Sequence, residues 1–451
     1  MYFLDILSLL NKNQKSKYIY LVALMTFVAI IEIICLGFAY SLIKIFINGE
    51  LVIENSIIKK ILSSINFLDK EEAIRELSII LFFLYLFKFI FQIWVYHIQF
   101  RYIYDLKASI ASSLFKKYLS QNFSFFVNKN SSELIRNIRE EVGLFSIGVM
   151  QSLTTIFTEL ILVIGVLAFL LIVSMKTTLI AVIFFLVISI VYFVVIKNSF
   201  LELGQKRQKL SFVNLKRATE MIQGIKDIKI YNSERYYFKI FDNLNFQMSS
   251  IFKKIAVLNQ LPRLGFEVLL ISLVVLLILN MRTLGFNTDR ALEIIGLFAL
   301  AAFRILPSAS KILVSFQQIR IHLPSINVLK NEFNLPKIID IIKLPEKKFL
   351  FEKLIKIENL TFKYDEAKKN VINDLSLEIK KNNIIGIIGA SGSGKSTFLN
   401  LLVGLLVSPQ GSIKIDNENI DLNSKCWQKK IGYISQNVHI IDDTLKNNIL
   451  F

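Results

Sequence analysis

Six apolar runs dominate the chain up to Leu313: Tyr18–Ile43, Leu77–Ile98, Leu153–Val173, Thr178–Ile196, Leu264–Leu279 and Ala291–Leu313. An α-helix needs about 20 such residues to cross a bilayer. The fifth run is the shortest and can be extended backwards through Val257. Between runs two and three, and four and five, the chain does not turn polar. Ile103–Leu119 and Phe200–Phe246 keep apolar residues at helical spacing, among them Leu201, Phe212, Leu215, Ile222, Ile225 and Ile228. That period predicts that spans two to five continue as helices well beyond the membrane. Phe123–Val127 and Ala218–Gly224, near the turning points, are short enough to be transverse helices. Met1–Leu10 is amphipathic and lacks a basic start and a small-residue cleavage site, which predicts an interfacial segment over 1–17 and not a cleaved signal.

Past residue 330 the pattern changes. Pro336, Pro345 and the run Glu346, Lys347, Lys348 mark a linker over 331–353. Leu354–Phe362 alternates as a strand does, and Asp374–Ile379 gives another. Asn383–Ile388 reads as a buried parallel strand and Phe398–Leu406 as a helix. Ser408–Gly411 turns into Ser412–Ile415, and Ile431–Ile434 makes a further strand. The expected fold is an α-helical polytopic membrane domain over 18–330, with six transmembrane helices and long extensions. Part of an α/β domain follows over 354–451.

Composition agrees with a membrane protein. Hydrophobic residues make up 54% of the 451 residues and charged ones 20%, with mean hydropathy +0.53, against about 45–50% apolar in soluble domains. A formal charge of +18 raises nucleic acid as a partner. The basic residues flank the apolar runs, however, and form no single patch with interleaved aromatics, so no nucleic-acid partner is expected. Twenty Lys/Arg lie in the long segments 101–150 and 197–263, against seven in the opposite loops. The positive-inside rule then puts the long segments, both termini and the C-terminal domain in the cytoplasm, with the chain multi-pass in the inner cell membrane. Cys35, in an apolar run, and Cys426, in the C-terminal domain, imply no disulfide framework.

Between the strand and helix expected in the C-terminal domain stand Gly389, Ala390, Ser391, Gly392, Ser393, Gly394, Lys395, Ser396 and Thr397. They fit a phosphate-binding loop, whose backbone N–H groups cradle phosphates at a helix N-terminus. Lys395 would reach the β and γ phosphates, and the Ser396 hydroxyl would hold Mg²⁺. Strand, glycine-rich turn and helix are the context that this motif requires. The C-terminal part is therefore expected to be a partial nucleotide-binding domain.

Ionisable residues inside apolar runs are costly in lipid and are candidate functional sites. Here they are Glu32, Lys88, Glu159, Glu267 and Arg304. Lys88 and Glu267 have the ordinary alternative of snorkelling or pairing near helix ends. Glu32 and Arg304 lie deeper, and either pair with each other or line a cavity. Arg304, Glu32 and Glu159 are the candidate substrate-path residues, Arg304 as the contact for an anionic group. Pro307 is expected to kink span six.

Six spans with long helical extensions, a linker and then a phosphate-loop domain resemble an exporter-type half-transporter of the ATP-binding cassette (ABC) family. The resemblance implies ATP and Mg²⁺ as ligands, with Tyr364 stacking on adenine and Gln436 contacting Mg²⁺ and coupling to the membrane domain. It makes Phe123–Val127 and Ala218–Gly224 coupling helices, and the working unit a dimer, most simply of identical chains. Leu261–Glu267 and Ala302–Lys311 are similar to the flippases of lipid-linked oligosaccharides, which implies an amphipathic or lipid-linked substrate; multidrug, lipid A and peptide exporters share the architecture and are the alternatives. The sequence departs from the family after Gln436: it carries no Gly-rich signature, no apolar strand ending in Asp with a catalytic Glu, and no switch histidine. Without them no catalytic residue can be named, and the chain is expected to hold roughly the first two thirds of a cassette, with part of its sheet uncovered. Asn382 and Asn417 replace common turn residues and can preserve those turns, because Asn tolerates left-handed geometry.

Overall fold

In the computed structural model of the chain, residues 6, 8–48, 70–279, 288–336, 351–364, 367, 369–416, 418–419, 425–436, 438 and 440–450 are described. All six apolar runs fall inside helices. α1 (Lys12–Asn48) carries the first and α2 (Lys70–Leu119) the second. Two short helices follow, α3 (Phe123–Asn128) and α4 (Ser131–Arg136). π-helical stretches at Asn137–Glu141 and Leu144–Met150 lead on into α5 (Gln151–Val173). α6 (Met175–Gln223), the short α7 (Ile225–Ile230), α8 (Glu234–Leu279) and α9 (Thr288–Phe333) complete the helical part.

The long extensions are present: α2 and α6 have 50 and 49 residues, α8 and α9 have 46 each. Among the described residues, Lys12–Phe46, Ile74–Leu119, Ser131–Val173 and Gly296–Phe333 are long and apolar enough to cross a membrane. α2 turns Phe82, Phe83, Phe87, Phe89, Ile90 and Trp94 outward, the placement that suits side chains facing lipid tails.

One expectation is corrected here. Ala218–Gln223 is the end of α6, and the short element is α7, which begins after Gly224. Gly224 leaves helical geometry at φ −88°, ψ 17°, and Asn232, at φ 49°, makes the turn that follows α7. α9 runs on through Pro307 and Pro324. Most of Met1–Leu10, the linker around Pro345, and Asn417 lie outside the described residues.

The chain divides into two compact units, Met1–Phe115 with Ser132–Leu335, and Lys116–Ser131 with Pro336–Phe451. In the first, α1, α5 and α9 meet through Ala29, Leu36, Leu162, Val166, Leu170 and Leu297. α6, α8 and α9 meet through Phe200, Ile251, Ile255 and Ile321. A Cβ on Gly204 of α6 would lie 2.2 Å from the Ile321 carbonyl oxygen, so those two helices touch backbone to backbone.

The second unit holds one antiparallel sheet, ordered β2 (Ile372–Lys380), β1 (Leu354–Phe362), β3 (Gln410–Ile415), β4 (Glu418–Asn419). In β1 the buried set Ile355, Ile357, Leu360, Phe362 changes parity midway. Register shifts that span Asn359, which has φ 50°, in the pairings with both β2 and β3 absorb the extra residue. α10 (Lys395–Leu402) lays Phe398 and Leu401 on the core, where Trp427 of α11 (Lys425–Gln428) joins them. α12 (Leu445–Ile449) is capped by the Thr444 hydroxyl.

Three element boundaries differ from expectation. α10 ends at Leu402 and not at Leu406, because Gly404, at φ 74°, closes it. The Leu405 N–H bonds Asn400 O at 2.8 Å and the Gly404 N–H bonds Leu401 O at 3.1 Å, the hydrogen bonds of a Schellman end. Asn383–Ile388 is not a buried strand; Ile384 and Ile388 are 101% and 97% exposed. Ile431–Ile434 is likewise unpaired. A parallel strand needs parallel neighbours on its edges and cover on both faces, and the described residues supply only the antiparallel sheet. Asn382 does take the left-handed turn expected of it, at φ 66°.

Candidate functional site

The glycine-rich loop is built as its residue types require. Gly394, at φ 91°, precedes α10 in the left-handed region, and a Cβ there would lie 3.0 Å from Val371 O. Only glycine meets both demands. The Phe398 N–H bonds Gly394 O at 2.8 Å and the Ser393 N–H bonds Ala390 O at 3.2 Å, so the turn and the first helical turn are closed. Lys395 folds its side chain back over the loop, donating from Nζ to Gly389 O and Ala390 O, both at 2.8 Å. Gly389, Ala390, Ser391, Gly392, Ser393 and Ser396 are exposed, and Thr397 is buried.

Tyr364 is brought to this loop. Its hydroxyl lies 3.2 Å from the Thr397 hydroxyl, and its ring meets Phe362 edge-on at 5.0 Å and 86°. Gln436 is not brought in: it is exposed at a bend, and no hydrogen bond joins it to Gly389–Thr397.

The fit to a phosphate ligand is good. No carboxylate stands in Gly389–Thr397. Glycines with positive φ at Gly392 and Gly394 form the kind of concave backbone that presents N–H groups to an anion. The Lys395 ammonium and the N-terminus of α10 add positive potential at the same place.

The intramembrane charges form two clusters. Glu32, on α1, accepts from Lys88 Nζ of α2 at 2.7 Å and also from Arg304 of α9. Glu159, on α5, accepts from Lys311 Nζ of α9 at 2.7 Å. Pairing is the way ionisable groups persist among apolar helices. Glu267 pairs with Arg263 at 3.0 Å on an exposed face. Lys311 was missed as a partner, although it lies two helical turns from Arg304 and so shares its face. Also missed were Arg207 and His322, which line a cavity in the first unit. Arg207 was hidden among the neighbouring cations Lys206 and Lys209.

Residues 38–283, more than half of the chain, match the family described as ABC transporter transmembrane region. Residues 372–448 match the family described as ABC transporter. An ATP-dependent lipid A-core flippase of Wigglesworthia glossinidia brevipalpis is 25% identical over 353 residues, which cover 76% of this chain and 59% of that relative. A probable ABC transporter ATP-binding/permease protein of Haemophilus influenzae is 41% identical over 96 residues, 21% of this chain and 17% of that relative. An ATP-dependent lipid A-core flippase of Coxiella burnetii is 35% identical over 98 residues, 22% of this chain and 17% of its own. The chain thus spans less than two thirds of the length of these relatives. With a transmembrane region and a phosphate-loop region of one family in a single polypeptide, this protein belongs to the ABC transporters, in the exporter-type half-transporter arrangement.

Proposed function

We propose that this chain is a subunit of an ATP-driven flippase or exporter whose substrate is amphipathic and lipid-linked, of the lipid-linked oligosaccharide kind. The observation that carries the reading is the phosphate cradle at Gly389–Thr397 in a chain whose other unit is an apolar helical bundle with charges inside it. Two relatives named as lipid A-core flippases support the substrate class. In this reading two such subunits, most simply identical, pair in the inner membrane with their termini and cassettes in the cytoplasm. ATP sits on the loop with Lys395 at its phosphates and Tyr364 against its base, and Ser396 and Gln436 hold Mg²⁺. ATP binding and hydrolysis by the paired cassettes drive alternating access. Residues 1–17 form an interfacial segment, 18–330 the membrane domain, 331–353 the linker and 354–451 the cassette portion. α3 and α7 act as the coupling helices, and Arg304, Glu32 and Glu159 stand along the substrate path.

The test uses the full chain in lipid nanodiscs with a fluorescent ATP analogue, beside Lys395→Ala. Saturable binding that is lost in Lys395→Ala is expected, and no difference between the two would sink the reading. In vesicles, the same chain with its cassette completed beyond Gln436 by the signature, catalytic Glu and switch histidine of its family should move a fluorescent lipid-linked oligosaccharide between leaflets when ATP is supplied. Nucleotide binding without movement would favour a regulatory membrane protein that binds nucleotide and transports nothing.

A further inference from the structure

The first unit holds an open cavity of about 1040 Å³ between the π-helical stretch before α5 and helices α6, α8 and α9. Leu144, Phe241 and Phe252 give it an apolar side. Arg207 of α6, past the end of the fourth apolar run, and His322 of α9 line it as well. Arg207 is 6% exposed, and its Nε and Nη2 have no hydrogen-bond partner among the described residues. Those two nitrogens form the side edge of the guanidinium, the fork that grips two oxygens of a phosphate or carboxylate. Burying such donors unmet is costly, so a group that accepts from them gains more than it would at a wet surface.

Neighbouring carboxylates do not satisfy this fork. Glu141 pairs with Arg136 at 3.6 Å and accepts from Gln208 Nε2 at 3.1 Å, and Glu140 accepts from Ser211. No ion pair to Arg207 is formed among the described residues. His322, 8% exposed, has its Nε2 3.2 Å from Gln318 Oε1, while its Nδ1 has no partner among the described residues. Gly148 makes room for that ring: a Cβ there would lie 2.1 Å from His322 Cδ2. Arg304, the cation expected to meet an anionic group, already has the Glu32 carboxylate.

We propose that the Arg207 guanidinium, beside the His322 ring, forms an oxyanion subsite in this cavity, which takes the phosphate head of an amphipathic molecule while the apolar side takes its chain. As a substrate subsite it rests on the exporter reading above, and it places the anion contact away from the Glu32–Arg304 pair.

The probes are hexyl phosphate, inorganic phosphate and hexanol, titrated calorimetrically into the full chain in phosphatidylcholine nanodiscs. Hexyl phosphate should bind saturably and more tightly than either of the others. Arg207→Ala should weaken it by at least about tenfold, the scale of a hydrogen bond to a charged group. Arg207→Lys should restore part of that loss, because it returns the charge without the fork. Gly148→Ala, which keeps Arg207 but crowds His322, should also weaken binding, whereas Arg263→Ala, an exposed charge removal, should not. Thermal melts of each variant identify any that are misfolded, and Arg207→Lys and Gly148→Ala keep the test alive if Arg207→Ala is one of them. Unchanged affinity in folded Arg207 variants, or an equal loss in Arg263→Ala, would overturn the subsite. Inorganic phosphate binding as tightly as hexyl phosphate would overturn the amphipathic occupant. Binding of the fluorescent ATP analogue is followed on the same samples. Its failure alone counts against the exporter reading and leaves the Arg207 result standing.

Discussion

The Tyr364 hydroxyl lies 3.2 Å from the Thr397 hydroxyl, so the residue just past β1 is hydrogen-bonded to the last residue of the phosphate loop. The ring and the hydroxyl of Tyr364 can therefore be separated. Tyr364→Phe deletes one neutral hydrogen bond, about 1 kcal/mol, and keeps the ring against Phe362. Its affinity for the fluorescent ATP analogue should stay within about threefold of the parent if the ring does the binding. Tyr364→Ala should lose about tenfold, the scale of an aromatic stack on a base. Equal losses in the two variants would assign the effect to the hydroxyl and remove the stacking role.

Glu32, with its side chain 5% exposed, answers two cations at once, Lys88 and Arg304. Glu32→Gln keeps the shape and removes the charge, leaving both cations facing a neutral amide. Breaking a buried pair in this way costs about 3–5 kcal/mol. Glu267→Gln, in the exposed pair with Arg263, should change stability by no more than about 0.5 kcal/mol. Melting both variants in the same detergent checks the contrast. Similar small shifts would mean that water already screens the Glu32 cluster.

Gly204 and Gly265 are both helical glycines with opposite surroundings. A Cβ at Gly204 meets the Ile321 backbone carbonyl at 2.2 Å, and one at Gly265 meets nothing within 4 Å. Gly204→Ala should destabilise by about 1–3 kcal/mol through overpacking of α6 on α9. Gly265→Ala should be neutral or gain up to about 1 kcal/mol of helix propensity. Gly204→Ala should lower the melting temperature, and Gly265→Ala should not.

Asp416, at φ 50°, ties the chain entering β1 to the end of β3. Its carboxylate accepts the backbone N–H groups of Glu352, Lys353 and Leu354 at 2.6, 2.7 and 2.8 Å. These bonds, that from Glu352 foremost, hold its pKa below the ordinary aspartate value. A depressed carboxylate contributes stability above the unfolded pKa, near about 3.9, and loses it as pH falls through the lower folded value. Asp416→Asn should therefore be less stable than the parent at neutral pH, and the gap should close as pH drops below about 4. Emission from buried Trp427 in a Trp94→Phe background follows the unfolding. A gap independent of pH would show that the charge of Asp416 is not the cause.

Much of the fold was legible because its signals are local. A run of apolar residues commits a segment to helix and bilayer over its own length. The spacing of Gly389, Gly394 and Lys395 is a short-range pattern whose left-handed glycines and returning lysine follow from a few adjacent residues. The short turns were less so: α7 lay seven residues further on than Ala218, because Gly224 starts the new element and does not end it.

What local pattern does not carry is which partner a group meets. Asn383–Ile388 has the composition of a buried strand, but a strand exists only by pairing, and its neighbours are set elsewhere in the chain. Glu32 and Arg304 are 272 residues apart, and Lys311 and Glu159 are 152 apart. Whether such charges pair or face a cavity depends on how each helix is rotated in the bundle, which close contacts such as Gly204 on Ile321 determine. Arg207 shows the same limit from the other side. In the linear chain it is one cation among many between the fourth and fifth runs. Packing of α6 against α9 buries it beside a cavity, with its fork unanswered among the described residues. Residue chemistry therefore dictated the membrane helices and the phosphate loop, whereas long-range packing decided which charges are answered and which remain open to a ligand.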